Sequence, residues 1–305
     1  MIVESRREVR RPTLALLATS LRPGQWTKNL LLFAGLLFGG RLFQPRATLA
    51  AIAAFGIFCA LSGAMYLVND IWDRDVDRHH PLKRARPIAS GALRVRTAAW
   101  SATALIAGAT AAAWLLNPTL GGIAATYVLL LLLYSTTLKH VVIVDVLTIA
   151  GGFVLRAVAG AVAVNVPIGE WLLVCTTLLA LFLALSKRRH ELVLLGDGAS
   201  DHRRSLEQYS PYLLDQMIAV VTASTLIAYA VFTMSADTAR RLGTPRLGFT
   251  IPFVLYGIFR YLYLVHQKRG GGSPAEMLLT DRPLLACVAL WAGAVVLLMY
   301  SPLGN

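Results

Sequence analysis

Long apolar stretches recur along the whole chain, and each is about the length of a membrane-crossing helix. A hydrocarbon core of roughly 30 Å takes about 20 helical residues to cross. Such stretches lie at approximately 29–45, 48–68, 98–116, 120–138, 141–165, 169–186, 213–235, 247–265 and 284–301. The pattern predicts an all-α integral membrane protein with nine spans. Because the first stretch is short and is interrupted by Gly35, Gly39 and Gly40, eight spans is the alternative count.

The composition agrees with a membrane protein, since 56% of the 305 residues are apolar and only 15% are charged. No connection is long enough for a soluble domain, so residues 28–305 are predicted to form one transmembrane domain. Residues 1–27 are predicted to be an N-terminal segment at the cytoplasmic face. Its basic residues precede a short apolar run without a small-residue cleavage site, which favours an interfacial helix over a signal peptide.

The distribution of positive charge predicts the orientation of the chain in the membrane. With nine spans, twenty-two of the twenty-nine Lys and Arg residues fall on one side and five on the other. The positive-inside rule makes the richer side cytoplasmic. We therefore expect a multi-pass protein of the inner membrane, with the N-terminus and the polar loops in the cytoplasm. This distribution explains most of the net charge of +13 without a nucleic-acid partner.

An acidic motif stands at the predicted inner end of the second span. Asn69, Asp70, Asp73 and Asp77 follow the pattern N-D-x-x-D-x-x-x-D. In a continuous helix, positions 70, 73 and 77 share one face, so their carboxylates are expected to converge. Carboxylates gathered in this way favour a hard divalent cation such as Mg²⁺, which the four residues are predicted to bind. Asp75 points elsewhere in the same helix and is expected to be solvated.

The alternative is that these aspartates only form ion pairs in a solvated loop. The candidate partners are Arg74, Arg78, Lys83, Arg84 and Arg86. The catalytic interpretation is preferred, because carboxylates at the mouth of a membrane bundle are costly unless they have a function. Cations beside a metal site can hold the phosphates of a metal-bound donor. The predicted donor-phosphate residues are Lys83, Arg84, Arg86, Lys187 and Arg188.

A second group of polar residues lies around the fifth span. Asp145 and Arg156 are eleven residues apart, close to three helical turns, so they share a face of that span. Two interpretations remain open, since such residues either line a cavity or pair with one another. Lys28 and Lys139 are expected at the interface, where they could bind a lipid phosphate or anchor the protein. The predicted lipid-phosphate residues are Lys28, Tyr134, Lys139, Asp145 and Arg156.

Four motifs together resemble the UbiA superfamily of intramembrane transferases. They are RPGQWTKN at 22–29, YLVNDIWDRDVDRHHPLKRARPIASG at 66–91, YSTTLKHVVIVD at 134–145 and SKRRHEL at 186–192, and the resemblance runs from about residue 20 to residue 285. It implies a nine-helix bundle whose central cavity opens to the cytoplasm, with Mg²⁺ on the acidic motif and a lipid tail that leaves laterally into the bilayer. It also makes a homo-oligomer plausible.

Within the superfamily, the motifs most resemble members that transfer 5-phosphoribose from 5-phosphoribosyl 1-diphosphate to decaprenyl phosphate. Diphosphate is released, and the product serves arabinan synthesis in the cell wall. The alternative is transfer of a prenyl group to an aromatic acceptor. Members of that kind usually carry a second aspartate-rich motif, whereas Asp145 has no acidic neighbour nearby in the sequence. A transporter is less favoured, because its polar residues would continue to the outer side.

Overall fold

The computed structural model describes residues 12–195, 204–268 and 272–301, and all regular structure within these ranges is helical. The α-helices are α1 (Thr13–Ser20), α2 (Phe33–Phe38), α3 (Pro45–Trp72), α4 (Arg74–His79), α5 (Val95–Leu116), α6 (Pro118–Thr136), α7 (Val144–Ala163), α8 (Glu170–Leu195), α9 (Arg204–Glu207), α10 (Pro211–Met234), α11 (Ala236–Leu242), α12 (Ile251–Gln267), α13 (Pro274–Thr280) and α14 (Arg282–Tyr300). The expected all-α fold is confirmed.

Eight helices in the described part of the chain are long and apolar enough to cross a membrane. They are α3, α5, α6, α7, α8, α10, α12 together with the short 3-10 helix before it, and α14. The protein is therefore a multi-pass membrane protein. This number agrees with the alternative count of eight, and the predicted nine helices are not confirmed.

The first predicted span, 29–45, crosses the bundle in an irregular form. Pro23–Leu32 is a 3-10 helix, and the six residues of α2 follow it. The segment starts where Arg22 contacts Asp70 at one end of α3. It finishes at the opposite end of the bundle, where the backbone N–H of Leu42 donates to the Tyr300 hydroxyl at 3.3 Å. The chain thus runs the length of the bundle here without a long helix.

Glycine contacts hold this irregular crossing against α7. A Cβ atom on Gly160 would lie 2.0 Å from the carbonyl oxygen of Leu32, and one on Gly35 would lie 2.6 Å from the Cα of Ala161. Ten residues is a long run for a 3-10 helix, which rarely exceeds about four. Close backbone packing through small residues is a main source of helix association in membranes. The contact therefore explains why this segment remains ordered.

Several helices begin with residues that are favourable at helix N-termini. Pro118 and Pro211 stand in first turns, where a missing backbone N–H costs no helical hydrogen bond. The Asn117 side chain accepts from the backbone N–H of Thr119 at 2.8 Å, and Asp281 accepts from Leu284 at 2.9 Å. Such caps satisfy groups that a helix leaves without internal partners.

Consecutive membrane helices run antiparallel, so their ends gather at the two ends of the bundle. We call the end where α3, α6, α8 and α12 finish the polar end. One apolar cluster joins α3, α5, α6 and α7, and a second joins α7, α8, α10, α12 and α14. Helix α7 belongs to both clusters, and Asp145 lies buried in its first turn at the polar end.

Candidate active site

The acidic motif spans two helices. Helix α3 finishes at Trp72, and Asp73 has φ −88° and ψ 6° before α4 begins at Arg74. The predicted continuous face through positions 70, 73 and 77 is therefore interrupted. Asp70 stays on α3, whereas Asp77 lies on α4, beyond the helix boundary at Asp73.

Two of the aspartates share one guanidinium group. An Nη atom of Arg86 lies 3.1 Å from the Asp70 carboxylate and 2.5 Å from that of Asp77. Asp70 also contacts Arg22. Both carboxylates are almost fully buried, at 2% and 3% exposed, while the two arginines remain about a quarter exposed. Charged partners with one open side can rearrange toward a ligand at low cost in solvation.

The third aspartate of the motif faces a different cation. Asp73 contacts the Lys139 ammonium, and it accepts from the Asn69 side-chain amide at 3.0 Å. Ser135 on α6 donates to Asn69 at 3.4 Å. Asp70, Asp73 and Asp77 thus form ion pairs with Arg22, Arg86 and Lys139. The prediction for Asp75 is confirmed, since it is 84% exposed beside Arg78.

Two of the donor-phosphate residues predicted after the acidic motif, Lys83 and Arg86, lie close to it. Burial raises the pKa of Asp77 above its ordinary value, and the neighbouring charges of Arg86 and Lys83 oppose this rise. Lys83 begins a short 3-10 turn, and Arg84 is exposed on it. Arg86 and Lys83 therefore lie beside the aspartates, and Arg84 stands on the same short turn.

The predicted convergence of the three carboxylates on one point is not present. Within the described residues, no three His, Cys, Asp or Glu side chains are grouped so that they could hold one metal ion. Arg86 lies between Asp70 and Asp77, and Asp73 is turned toward α6 by Lys139. Convergence required a continuous helix and no competing partners, whereas Arg22 and Lys139 reach these carboxylates from distant segments.

A second acidic site at the polar end is buried and fully bonded. Asp145, in the first turn of α7, accepts from Nε of Arg188 at 2.7 Å and from the Tyr209 hydroxyl at 2.9 Å. Arg188 also contacts Glu191 and donates to the Tyr134 hydroxyl at 3.0 Å. The side chains of Asp145 and Arg188 are 0% and 1% exposed. Desolvated ion pairs of this kind persist only when such further hydrogen bonds satisfy them.

Of the two interpretations left open for Asp145 and Arg156, the structure does not show the direct pair. Arg156 lies three turns deeper on α7 and donates to Asn29 at 2.7 Å, to the Tyr127 hydroxyl at 2.5 Å and to the carbonyl of Gly152 at 3.0 Å. Two residues on one face of a straight helix are separated by about 1.5 Å per residue along the axis, which is too far here for direct contact. No carboxylate among the described residues forms an ion pair with Arg156, although its side chain is buried.

Lys28 and Lys187 bring the two predicted phosphate-binding sets together. Lys28 has Arg22, Arg156 and Tyr134 as electrostatic neighbours. Lys187 has Lys28 as a neighbour, and its ammonium lies 3.8 Å from Glu191. The predicted donor and lipid-phosphate residues are therefore interleaved at the polar end, while Lys139 belongs with the aspartates.

Several residues of the site were absent from the sequence predictions. They are Arg22, Asn29, Tyr127, Glu191, Ser205 and Tyr209. Arg22 and Asn29 lie inside the RPGQWTKN motif, so their position offered a signal. Ser205 and Tyr209 offered none, because hydroxyl side chains in a polar connection have many ordinary roles.

Residues 29–280 match the UbiA prenyltransferase family. The chain belongs to this family. The resemblance expected from the four motifs is thereby confirmed, and it extends over most of the chain.

Three relatives show how far the similarity reaches. A decaprenyl-phosphate phosphoribosyltransferase of Corynebacterium glutamicum is 34% identical over 92% of this chain and 86% of its own length. A protein of the same name from Mycolicibacterium smegmatis is 32% identical over 93% of this chain and 92% of its own length. A nodulation protein, NoeC, of Azorhizobium caulinodans is 30% identical over 92% of both chains.

Solved structures of UbiA homologues share the fold. One from Archaeoglobus fulgidus, bound to DMAPP and Mg²⁺, has a TM-score of 0.70 at 20% identity and covers 92% of this chain and 98% of its own. A second structure of that homologue, bound to GPP and Mg²⁺, has a TM-score of 0.69. At this identity the likeness establishes the fold alone.

Proposed function

We propose that the protein transfers 5-phosphoribose from 5-phosphoribosyl 1-diphosphate to the phosphate of a long-chain polyprenyl phosphate such as decaprenyl phosphate, releasing diphosphate. Relatives named decaprenyl-phosphate phosphoribosyltransferase align with almost the whole chain at 31–34% identity. The proposed product is a lipid-linked precursor for cell-wall arabinan.

The choice of donor rests on the hydrogen bonds that Asp145 accepts. A prenyl diphosphate site with two acidic motifs would need this carboxylate as a free ligand. Here Arg188 and Tyr209 occupy both of its oxygens, and the group is 0% exposed. One acidic cluster then remains for the donor diphosphate, and the cations around it suit a wholly polar donor with an additional phosphate.

The acidic motif fits Mg²⁺ by its chemistry. Asn69, Asp70, Asp73 and Asp77 offer hard oxygen ligands, and the present partners of the carboxylates are themselves cations. A bound Mg²⁺ would therefore take the place of these cations, and the carboxylates would keep a positively charged partner. When bound, it would neutralise charge on the leaving diphosphate.

The basic residues have separate tasks in this mechanism. Lys83, Arg84 and Arg86 hold the donor phosphates from the cytoplasmic side, and Lys28 with Lys187 holds the acceptor phosphate. An anionic oxygen of the acceptor attacks the anomeric carbon as the bond from that carbon to the diphosphate oxygen breaks. The bonding electrons leave with diphosphate. No general base is needed, because the acceptor phosphate is already ionised.

We place the polar end in the cytoplasm, in an inner membrane, from the charge distribution. Single cysteines introduced into a cysteine-free background test this orientation. Ser90→Cys and Gln267→Cys at the polar end should react only with a reagent that reaches the cytoplasm, and Ala236→Cys at the opposite end only with an impermeant external reagent. External labelling of Ser90→Cys would refute the orientation. The homo-oligomer stays a prediction.

The reaction itself is tested with purified protein in detergent. The protein is incubated with Mg²⁺, polyprenyl phosphate and either 5-phosphoribosyl diphosphate or a prenyl diphosphate, and the lipid product is identified by mass spectrometry. We expect a phosphoribosylated polyprenyl phosphate and free diphosphate. Alkylation of an aromatic acceptor by the prenyl donor, without reaction of the ribosyl donor, would refute the donor assignment and leave the family unchanged.

A further inference from the structure

The connection between α6 and α7 contains a strained turn. Ile143 has φ +68° and ψ −46°, and the backbone N–H of Val144 donates to the carbonyl of Val142 at 2.8 Å. This is a γ-turn of the positive-φ kind, which is rare and unfavourable for a β-branched residue. Such a conformation persists only where the surrounding structure holds it, and it often lies at a functional site.

One tyrosine hydroxyl holds this turn and the buried acidic site together. The Tyr209 oxygen accepts from the backbone N–H of Ile143 at 2.7 Å and donates to Asp145 at 2.9 Å. The other oxygen of Asp145 accepts from Arg188. Tyr209 is only 5% exposed, so these bonds are largely shielded from solvent.

A serine four residues earlier holds the other end of the same connection. The Ser205 hydroxyl donates to the backbone carbonyl of Lys139 at 2.9 Å, and Ser205 is fully buried. The side chain of Lys139 contacts Asp73 in the acidic motif. Ser205 and Tyr209 therefore form hydrogen bonds with the connection at two points. Each point adjoins a charged group of the candidate active site, Lys139 or Asp145.

We propose that Ser205 and Tyr209 are positioning residues for phosphoribosyl transfer: by fixing the turn between α6 and α7 they set Lys139 against Asp73 and Asp145 against Arg188. This inference rests on the proposed function. Neither hydroxyl touches a substrate in this scheme. Their effect passes through Lys139 and Arg188, and their loss should misplace these charges while the apolar packing around Tyr209 remains.

Tyr209→Phe tests the hydroxyl against a matched control. The substitution keeps the ring in its apolar cluster and removes two hydrogen bonds. Tyr261→Phe is the control, since Tyr261 lies in the same cluster and its buried hydroxyl has no hydrogen-bond partner among the described residues. We expect kcat of Tyr209→Phe to fall by about ten- to a hundredfold through misplacement of reacting groups. Tyr261→Phe should keep the wild-type kcat. Equal values for the two variants would overturn the proposal.

A double-mutant cycle tests whether Ser205 acts through Lys139. Ser205→Ala alone should lower kcat, and it should lower it no further in a Lys139→Ala background, because the lysine side chain it positions is then gone. The bond from Ser205 to the main-chain carbonyl is unaffected by Lys139→Ala. Full additivity of the two substitutions would mean a merely structural role and would overturn the proposal for Ser205.

Amide hydrogen exchange separates this inference from the proposed function. Measured without substrate, exchange at Ile143 should speed up in Tyr209→Phe and stay unchanged in Tyr261→Phe; unchanged exchange in Tyr209→Phe would overturn the inference. If the wild-type protein ignores the ribosyl donor but uses a prenyl donor, only the proposed function fails. The double-mutant cycle is then measured with the prenyl donor, and the same outcomes support or overturn the inference.

Discussion

The polar end contains two acidic sites built from the same residue types in opposite environments. Asp70, Asp73 and Asp77 face cations that stay partly open, with Arg86 25% exposed. Asp145 faces Arg188, and both side chains are closed off from solvent. The open site can exchange its cations for a metal and the donor phosphates. The closed site cannot do so without leaving a buried charge unpaired, which is costly.

The number of aspartates alone therefore does not define a donor site. A carboxylate becomes available for a ligand only when its present partners can move into solvent or onto the ligand. The open site is therefore expected to control turnover directly. The closed site is expected to control stability and, by placing α7 against α8, to affect turnover indirectly.

The largest expected effect is on the open site. Asp70→Asn, Asp73→Asn or Asp77→Asn should each lower kcat by on the order of 10³-fold, since loss of a metal ligand removes several kcal/mol of charge stabilisation. The apparent midpoint of thermal unfolding should change little. Chelation of divalent cations by EDTA should abolish turnover in the wild type. Full activity in EDTA, or in all three variants, would refute a role for this site.

Breaking the closed site should mainly reduce stability. Asp145→Asn leaves the Arg188 charge in a buried position with Glu191 as its remaining acidic partner, and we expect a loss of about 3 kcal/mol. The measurement is the thermal unfolding midpoint in the same detergent used for Asp73→Asn. A smaller shift for Asp145→Asn than for Asp73→Asn would contradict the comparison.

A double variant sharpens this result. Asp145→Leu with Arg188→Met replaces the buried pair by apolar groups, and such replacements are often neutral or stabilising. We expect the unfolding midpoint to recover toward the wild-type value while turnover stays low, because Tyr134 and Tyr209 lose their charged partners. Recovery of turnover would show that the pair has a structural role only.

The donor cations should produce an intermediate effect on binding. Lys83→Ala or Arg84→Ala removes a charged partner of the donor phosphates, and we expect KM for the donor to rise about tenfold, as for one charge-assisted hydrogen bond. Lys268→Ala, an exposed cation elsewhere at the polar end, is the control and should leave KM unchanged. Equal increases in all three variants would indicate a nonspecific charge effect.

The smallest effect is expected at Asp75. Its pair with Arg78 is exposed, and such i,i+3 pairs contribute at most about 0.5 kcal/mol. Asp75→Asn should therefore leave turnover and the unfolding midpoint near the wild-type values, which also controls for the removal of a negative charge from this stretch. A loss of turnover comparable to that of Asp77→Asn would contradict the separation of Asp75 from the aspartates of the site.

Local features of the site were predictable, and its contacts were not. The acidic motif, the cations after it and the exposure of Asp75 follow from spacing within one helical stretch. The break at Asp73 did not, because a helix end in a polar sequence is decided by the partners on each side. Arg22 reaches Asp70 from 48 residues away, and Arg188 reaches Asp145 from 43.

The amino-acid sequence was sufficient to predict that the chain crosses a membrane many times and which face carries the charge. Both properties are sums over local stretches, since the bilayer accepts any apolar helix of sufficient length and loop charges act nearly independently. Which cation neutralises which carboxylate depends on the folded bundle. That choice depends on helices that become neighbours in the folded bundle, and in a low-dielectric interior a shift of a few ångströms decides whether two charges form a pair or remain apart.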